Sequence, residues 1–188
     1  MVERNPEIIA DEDFVDFFNK TFYYDKKPAI ISIDMQDKFL ASMVRNKDFL
    51  IRYNKRMSDL CFKNHVNFIV INTENFKFGN NMFGFCEDYE KLDLVTWINK
   101  DSKSGLRNVN LAKILRKLGV TSIFVMGIYK SNCVLENLYS SRDDFYIMTS
   151  FAGLCTNFKS PLDFLPWKDN NRELKNRILN FCNLVLRQ

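Results

Sequence analysis

Ile123-Phe124-Val125-Met126-Gly127-Ile128-Tyr129-Lys130-Ser131-Asn132-Cys133-Val134 is the stretch whose reading decides the fold. A short apolar run gives out at a glycine, and an amphipathic segment follows from Asn132 to Ser141. That order predicts strand, loop and helix, with the thiol of Cys133 at the helix N-terminus. A helix start offers unpaired N–H groups and the positive end of the backbone dipole, which favour thiolate over thiol. A lone cysteine after a strand is equally well a small buried apolar residue, so its company has to decide.

Working outward, two further runs end in chemistry. Ala29-Ile30-Ile31-Ser32-Ile33 leads into Asp34, and Leu94-Val95-Thr96-Trp97-Ile98-Asn99 leads into Lys100. A base, a cation and a nucleophile thus each sit at or just past the C-terminal end of a strand-like segment. In an open parallel sheet these ends share one edge, where α/β proteins place their sites.

The rest of the chain continues the alternation. Helices are predicted over 11–22, 47–63, 110–118, 132–141 and 171–181, and strands over 29–33, 66–71, 92–98, 122–126 and 145–149, with a short last strand at 184–186. Residues 73–89 read as a loop. The first strand is apolar almost throughout, which means burial on both faces. The expected architecture is a doubly wound, mostly parallel sheet of five or six strands with helices on both faces, in one domain over 1–188 with an N-terminal helical extension over about 1–27.

Composition excludes several classes. At 188 residues the chain can bury about 70% of its unfolded surface. It is 46% hydrophobic and 27% charged, ordinary for a globular domain. A net charge of +4, with lysines and arginines scattered among acids, argues for solvated faces and against nucleic acid as a partner. No apolar run is long enough to span a membrane and the first residues lack a secretory pattern, so a cytoplasmic location is expected. Cys61, Cys86, Cys133, Cys155 and Cys182 show no close pairing, which suggests neither a disulfide framework nor a zinc site. The sole histidine, His65, is a conceivable general base. It precedes a strand, at the end of the sheet away from Asp34, where a capping or surface role fits better.

Three of these segments resemble the isochorismatase-like cysteine hydrolases. Ile33-Asp34-Met35-Gln36-Asp37-Lys38-Phe39 is similar to the family's opening (I/V)-D-x-Q motif, Lys100 with Ser104-Gly105-Leu106 to its lysine segment, and Gly127 to Val134 to its nucleophile loop. The resemblance implies a catalytic triad of Asp34, Lys100 and Cys133, an oxyanion hole from the backbone N–H groups of Tyr129 and Cys133, and a non-proline cis peptide between Ile128 and Tyr129. It also implies a homodimer or larger homo-oligomer and hydrolysis of a small amide or ureido compound through a thioester, with no cofactor. Phe39, Trp97, Leu106 and Tyr129 would line a flat apolar pocket for this small-molecule substrate, although each is equally well a core residue. Nicotinamidases carry a metal site in the region of 73–89. Here that loop offers Glu74 and Asn75 but no histidine, which argues against a metal of that type.

The chain departs from the family pattern at Lys130, at Asp37-Lys38, and at Ser150-Phe151-Ala152, where Asp-Ala is usual. These departures keep open a non-catalytic homologue used for binding or assembly. A redox-sensing thiol protein with Cys155 as resolving partner is a third reading.

Overall fold

The computed structural model describes residues 5–23, 26–41, 47–73, 94–100, 109–128, 145–150 and 152–153. All fall within the compact unit Met1–Asn157. The predicted elements over 132–141, 171–181 and 184–186, and the loop from 74, lie outside the described residues.

Helix α1 spans Pro6–Tyr23 and begins five residues before the hydrophobic pattern suggests. The start is set by capping: the Asn5 side chain accepts the Glu7 N–H at 3.0 Å, and Pro6 occupies the first helical position, where its missing N–H costs nothing. Ala10, Phe14 and Phe17 recur on one buried face. Strand β1 (Pro28–Ile33) and the short helix α2 (Asp37–Ala41) follow. Next come helix α3 (Lys47–Lys63) and strand β2 (Asn67–Thr73). Strand β3 is Val95–Lys100, helix α4 Val109–Lys117, strand β4 Ser122–Gly127 and strand β5 Tyr146–Met148. α2 is absent from the sequence expectation, because five residues are too few to show periodicity.

The five strands form one parallel sheet in the order β3-β2-β1-β4-β5. The chain winds outward from β1 to one edge and then restarts on its other side with β4. The cleft between β1 and β4 is therefore the point of topological reversal, where doubly wound sheets bind ligands. Ile30 pairs in register with Phe68 of β2 and Phe124 of β4. That face meets α1 and α3: Phe17 lies edge-on to Phe124 at 5.5 Å, Phe62 tilts against Phe68 at 6.3 Å, and the Ser32 hydroxyl reaches Asn54 at 3.2 Å. Ile31, Ile69 and Val125 on the opposite face are equally buried.

Two helices end in the same way at the N-terminal edge of the sheet. His65 and Gly119 both adopt left-handed φ, 54° and 69°. Val66 N–H returns to the Cys61 carbonyl at 2.8 Å, and Val120 N–H to that of Leu115 at 2.9 Å. Each pair satisfies an orphan helix carbonyl. His65 is thus exposed and occupied in stopping α3, at the end of the sheet away from Asp34.

At the C-terminal edge, β4 closes on β1 through Gly127, whose φ is 119°. A Cβ there would stand 2.2 Å from the Ile33 carbonyl oxygen and 2.6 Å from its nitrogen. Both atoms are backbone and cannot yield. Gly127→Ala should therefore lower stability by about 3 kcal/mol or more, from clash and backbone strain together. A urea midpoint within error of the parent would contradict this.

α1 joins α3 partly through exposed ion pairs, Arg52 with Glu7 at 3.0 Å and Arg56 with Asp11 at 2.7 Å, which contribute little. A less exposed contact is the Tyr53 hydroxyl donating to Asp13 at 2.6 Å. Burial pushes the Asp13 carboxyl above its ordinary 3.8, against the opposing pull of hydrogen bonds from Ser150 and Tyr53. A carboxyl raised in this sense binds its proton more tightly in the folded chain. The stability it contributes is complete below pH 3.8 and is lost as pH rises through the folded value. The stability of the parent minus that of Asp13→Asn should accordingly decline as pH rises from about 3.8, then level off. Urea titrations across that range giving a flat difference would contradict the assignment.

Candidate active site

Asp34 is the first residue past β1 and turns sharply out of it. Its φ is 54°, a region aspartate tolerates better than most residues at a cost of about 1–2 kcal/mol. Its N–H donates to the Ile71 carbonyl at 2.8 Å, and its own carbonyl accepts the Gln36 N–H at 2.7 Å. The chain is thereby folded back over the ends of β1 and β2, and the carboxylate is turned inward.

There it meets Lys100, the last residue of β3. Lys100 Nζ lies 2.6 Å from Asp34 Oδ2, and each side chain is only 1% exposed. The other carboxylate oxygen, Oδ1, accepts the hydroxyl of Thr73 at 2.9 Å. Thr73 is the last residue of β2 and pairs in register with Lys100. Gln36 completes the clasp, its Oε1 accepting the Thr73 N–H at 2.9 Å. Side chains from the ends of three adjacent strands thus converge on one buried carboxylate. Thr73 and Gln36 carried no assigned role in the sequence reading. The signal was available: if strand ends bear the site, the end of β2 should contribute, but the predicted strand stopped at Ile71.

The register also separates two predicted residues. Ile33, Ile71 and Ile98 pair across one face, so Lys100, two residues beyond Ile98, shares it, whereas Trp97 lies on the other. Trp97 is 41% exposed on the edge strand. Phe39 lies within α2 and is half-buried. Leu106, Tyr129, Lys130 and Cys133 lie outside the described residues, as do Glu74 and Asn75. The root of the Cys133 loop is described: Gly127 pairs with Ile33, and the Ile128 N–H donates to the Ile33 carbonyl at 2.8 Å, one residue before Asp34. Among the described residues, no three His, Cys, Asp or Glu side chains gather as metal ligands. No described helix is long and apolar enough to cross a membrane.

A buried ion pair at the carboxyl edge of a parallel sheet whose strand order reverses beside β1 places the protein among the doubly wound α/β folds that carry their sites at that edge. Residues 28–149 match the profile of the isochorismatase domain, and the chain belongs to that family of hydrolases. No curated protein sequence matches it. Three solved structures show the shared fold. A candidate MAR1 ribonuclease from Leishmania major aligns at 20% identity over 70% of this chain and 66% of that one, with a TM-score of 0.59. The chain thus spans just under two thirds of the Leishmania protein. A nicotinamidase from Staphylococcus aureus aligns at 15% identity over 69% and 83%, with a TM-score of 0.59. N-carbamoylsarcosine amidase from Thermoplasma acidophilum aligns at 14% over 72% and 87%, with a TM-score of 0.57.

Removing one member of a buried ion pair leaves the other charge uncompensated, at a cost of about 3–5 kcal/mol, whereas removing both costs far less. Lys100→Met should therefore destabilise the protein by about that amount, and Lys100→Met with Asp34→Asn should recover most of it. Asparagine is chosen because it tolerates the left-handed backbone at position 34. Urea denaturation of the four proteins in a double-mutant cycle gives the coupling, and strictly additive losses would contradict a compensated buried pair.

Proposed function

We propose that the protein is a cysteine hydrolase that cleaves a small amide or ureido compound, with Cys133 as nucleophile, Asp34 as base and Lys100 as the cation that holds the charges together. The observation that carries this reading is the Asp34–Lys100 pair, buried at the carboxyl edge where the chain toward Cys133 departs. Such a pair is poor value as a stabilising device, because a well-packed apolar pair would serve as well or better. A catalytic role supplies the reason for such a pair that stability does not.

A thiol and a carboxyl differ by about 4–5 pKa units in water, so an aspartate is normally too weak a base for a cysteine. In this reading the gap is narrowed on the sulfur side, where a neighbouring ammonium, that of Lys100, favours thiolate. The proton of Cys133 passes to Asp34 as sulfur bonds to the substrate carbonyl carbon. The resulting oxyanion is held by the backbone N–H groups of Tyr129 and Cys133, where one such donor typically lowers the barrier by about 3 kcal/mol. Collapse breaks the C–N bond, Asp34 returns the proton to the leaving nitrogen, and a thioester remains. Water then attacks the thioester while Asp34 takes its proton, and the acid and the free thiol are released.

No metal takes part in this scheme, so activity should survive dialysis against a chelator. The working form would be a homodimer or larger homo-oligomer. A panel of amides and ureides, scored by ammonia release, should yield at least one substrate for the parent and none for Cys133→Ala. Iodoacetamide at pH 7 should label Cys133 well before Cys61, whose burial raises its thiol well above the ordinary value. Equal rates at the two sulfurs would sink the nucleophile assignment and favour a binding or assembly role.

A further inference from the structure

On the face of the sheet opposite Lys100 lies a second buried polar cluster, which the proposed chemistry does not use. The Tyr53 hydroxyl of α3 donates to Asp13 Oδ2 of α1 at 2.6 Å. The side chain of Ser150, two residues past β5, lies beside the same carboxyl and pulls it toward the ionised form. Tyr53 is wholly buried and Ser150 is 3% exposed.

This cluster bears on the active-site loop through the turn after β5. The Ser150 hydroxyl accepts the Ala152 N–H at 3.3 Å, and the Ser150 carbonyl accepts the Gly153 N–H at 3.2 Å. Gly153 is pressed against the Tyr53 ring so closely that a Cβ would stand 2.7 Å from its Cε1 and 3.1 Å from Met126 Cβ. The Gly153 carbonyl in turn accepts the N–H of Gly127 at 2.9 Å. The Thr149 hydroxyl fastens the same segment to the Val125 carbonyl at 2.7 Å. Gly127 is the residue at which β4 ends and the chain sets out toward Cys133, and it can move little without striking Ile33.

We propose that Asp13, Tyr53 and Ser150 form a positioning network through which the N-terminal helix fixes the Gly153 carbonyl, and with it the backbone of Gly127 from which the Cys133 loop departs. α1 is then a working part of the site. The path is continuous: a carboxylate on α1 holds the Tyr53 hydroxyl, the Tyr53 ring packs against Gly153 in the turn that Ser150 closes, and the turn holds the loop root. The step from Gly127 to the thiol rests on the function proposed above, whereas the step to Gly127 does not.

The test uses the full chain with Tyr53→Phe and Ser150→Ala. Tyr53→Phe removes one hydroxyl and keeps the ring against Gly153. Ser150→Ala keeps the Asp13–Tyr53 hydrogen bond, so a folded variant remains should the first fail to fold. Amide hydrogen exchange is followed at Gly127 and, as reference, at Val70 in the sheet centre. Iodoacetamide labelling of Cys133 is followed across pH. The expected result is exchange at Gly127 faster by about fivefold to tenfold relative to Val70, the effect of one lost hydrogen bond, and a pH profile of labelling displaced from the parent's. Equal acceleration at Gly127 and Val70, or none at either, would overturn the proposal by reducing the network to general stability. Selective acceleration at Gly127 with an unmoved Cys133 profile would also overturn it. Should Cys133 of the parent label no faster than Cys61, the hydrolase reading fails, while selective exchange at Gly127 would still support the network.

Discussion

The contact between Lys100 and Asp34 constrains everything around it. Two opposite charges withdrawn from water are tolerated only when they meet closely and their remaining polar atoms are satisfied. The carboxylate achieves this with an ammonium on one oxygen and the Thr73 hydroxyl on the other. That arrangement requires β2 and β3 to end in register two residues beyond the end of β1, which their parallel pairing provides. It also requires Asp34 to turn back from its strand. The reversed backbone at Asp34 and the apolar packing beneath it together define the pair.

Unusual backbone in the described residues falls into two groups with different work. His65 and Gly119 stop helices at the N-terminal edge of the sheet. Asp34 and Gly127 lie at the carboxyl edge on neighbouring strands, Gly127 directly across from Ile33. The first pair is routine helix termination. The second lies where the strand order reverses, the position at which doubly wound sheets carry their sites. Glycine is required at 127 because the two backbones touch, whereas at 34 the side chain itself is needed and the strain is accepted.

The two faces of the sheet divide the labour. The face carrying Lys100 and Thr73 presents charge at its rim. The other face is packed by α1 and α3 through aromatic contacts, and its polar cluster at Asp13, Tyr53 and Ser150 steadies the turn beside β4.

Much of this was legible in the residues. Near-continuous apolar runs marked β1, β2 and β4 because strands buried on both faces have no polar side to show. The 3.6-residue pattern of Leu50, Tyr53, Met57 and Cys61 gave α3 its observed limits. Gly119 announced the end of α4. Asp34 and Lys100 were singled out because each follows such a run, and the structure brings them together. Less legible were the start of α1, which depends on the Asn5 cap, and the limits of β3, which lies at the sheet edge with mixed burial. What the amino-acid order alone determined was the alternation of elements and the residue types waiting at the strand ends, since periodicity and turn chemistry are local. Only the tertiary structure decided that the Thr73 hydroxyl joins Lys100 on the carboxylate while Gln36 holds the Thr73 backbone, that Trp97 faces away from Lys100, and that Asp13 meets Tyr53. Those facts rest on strand register and on helix packing between residues far apart along the chain, which no local pattern encodes.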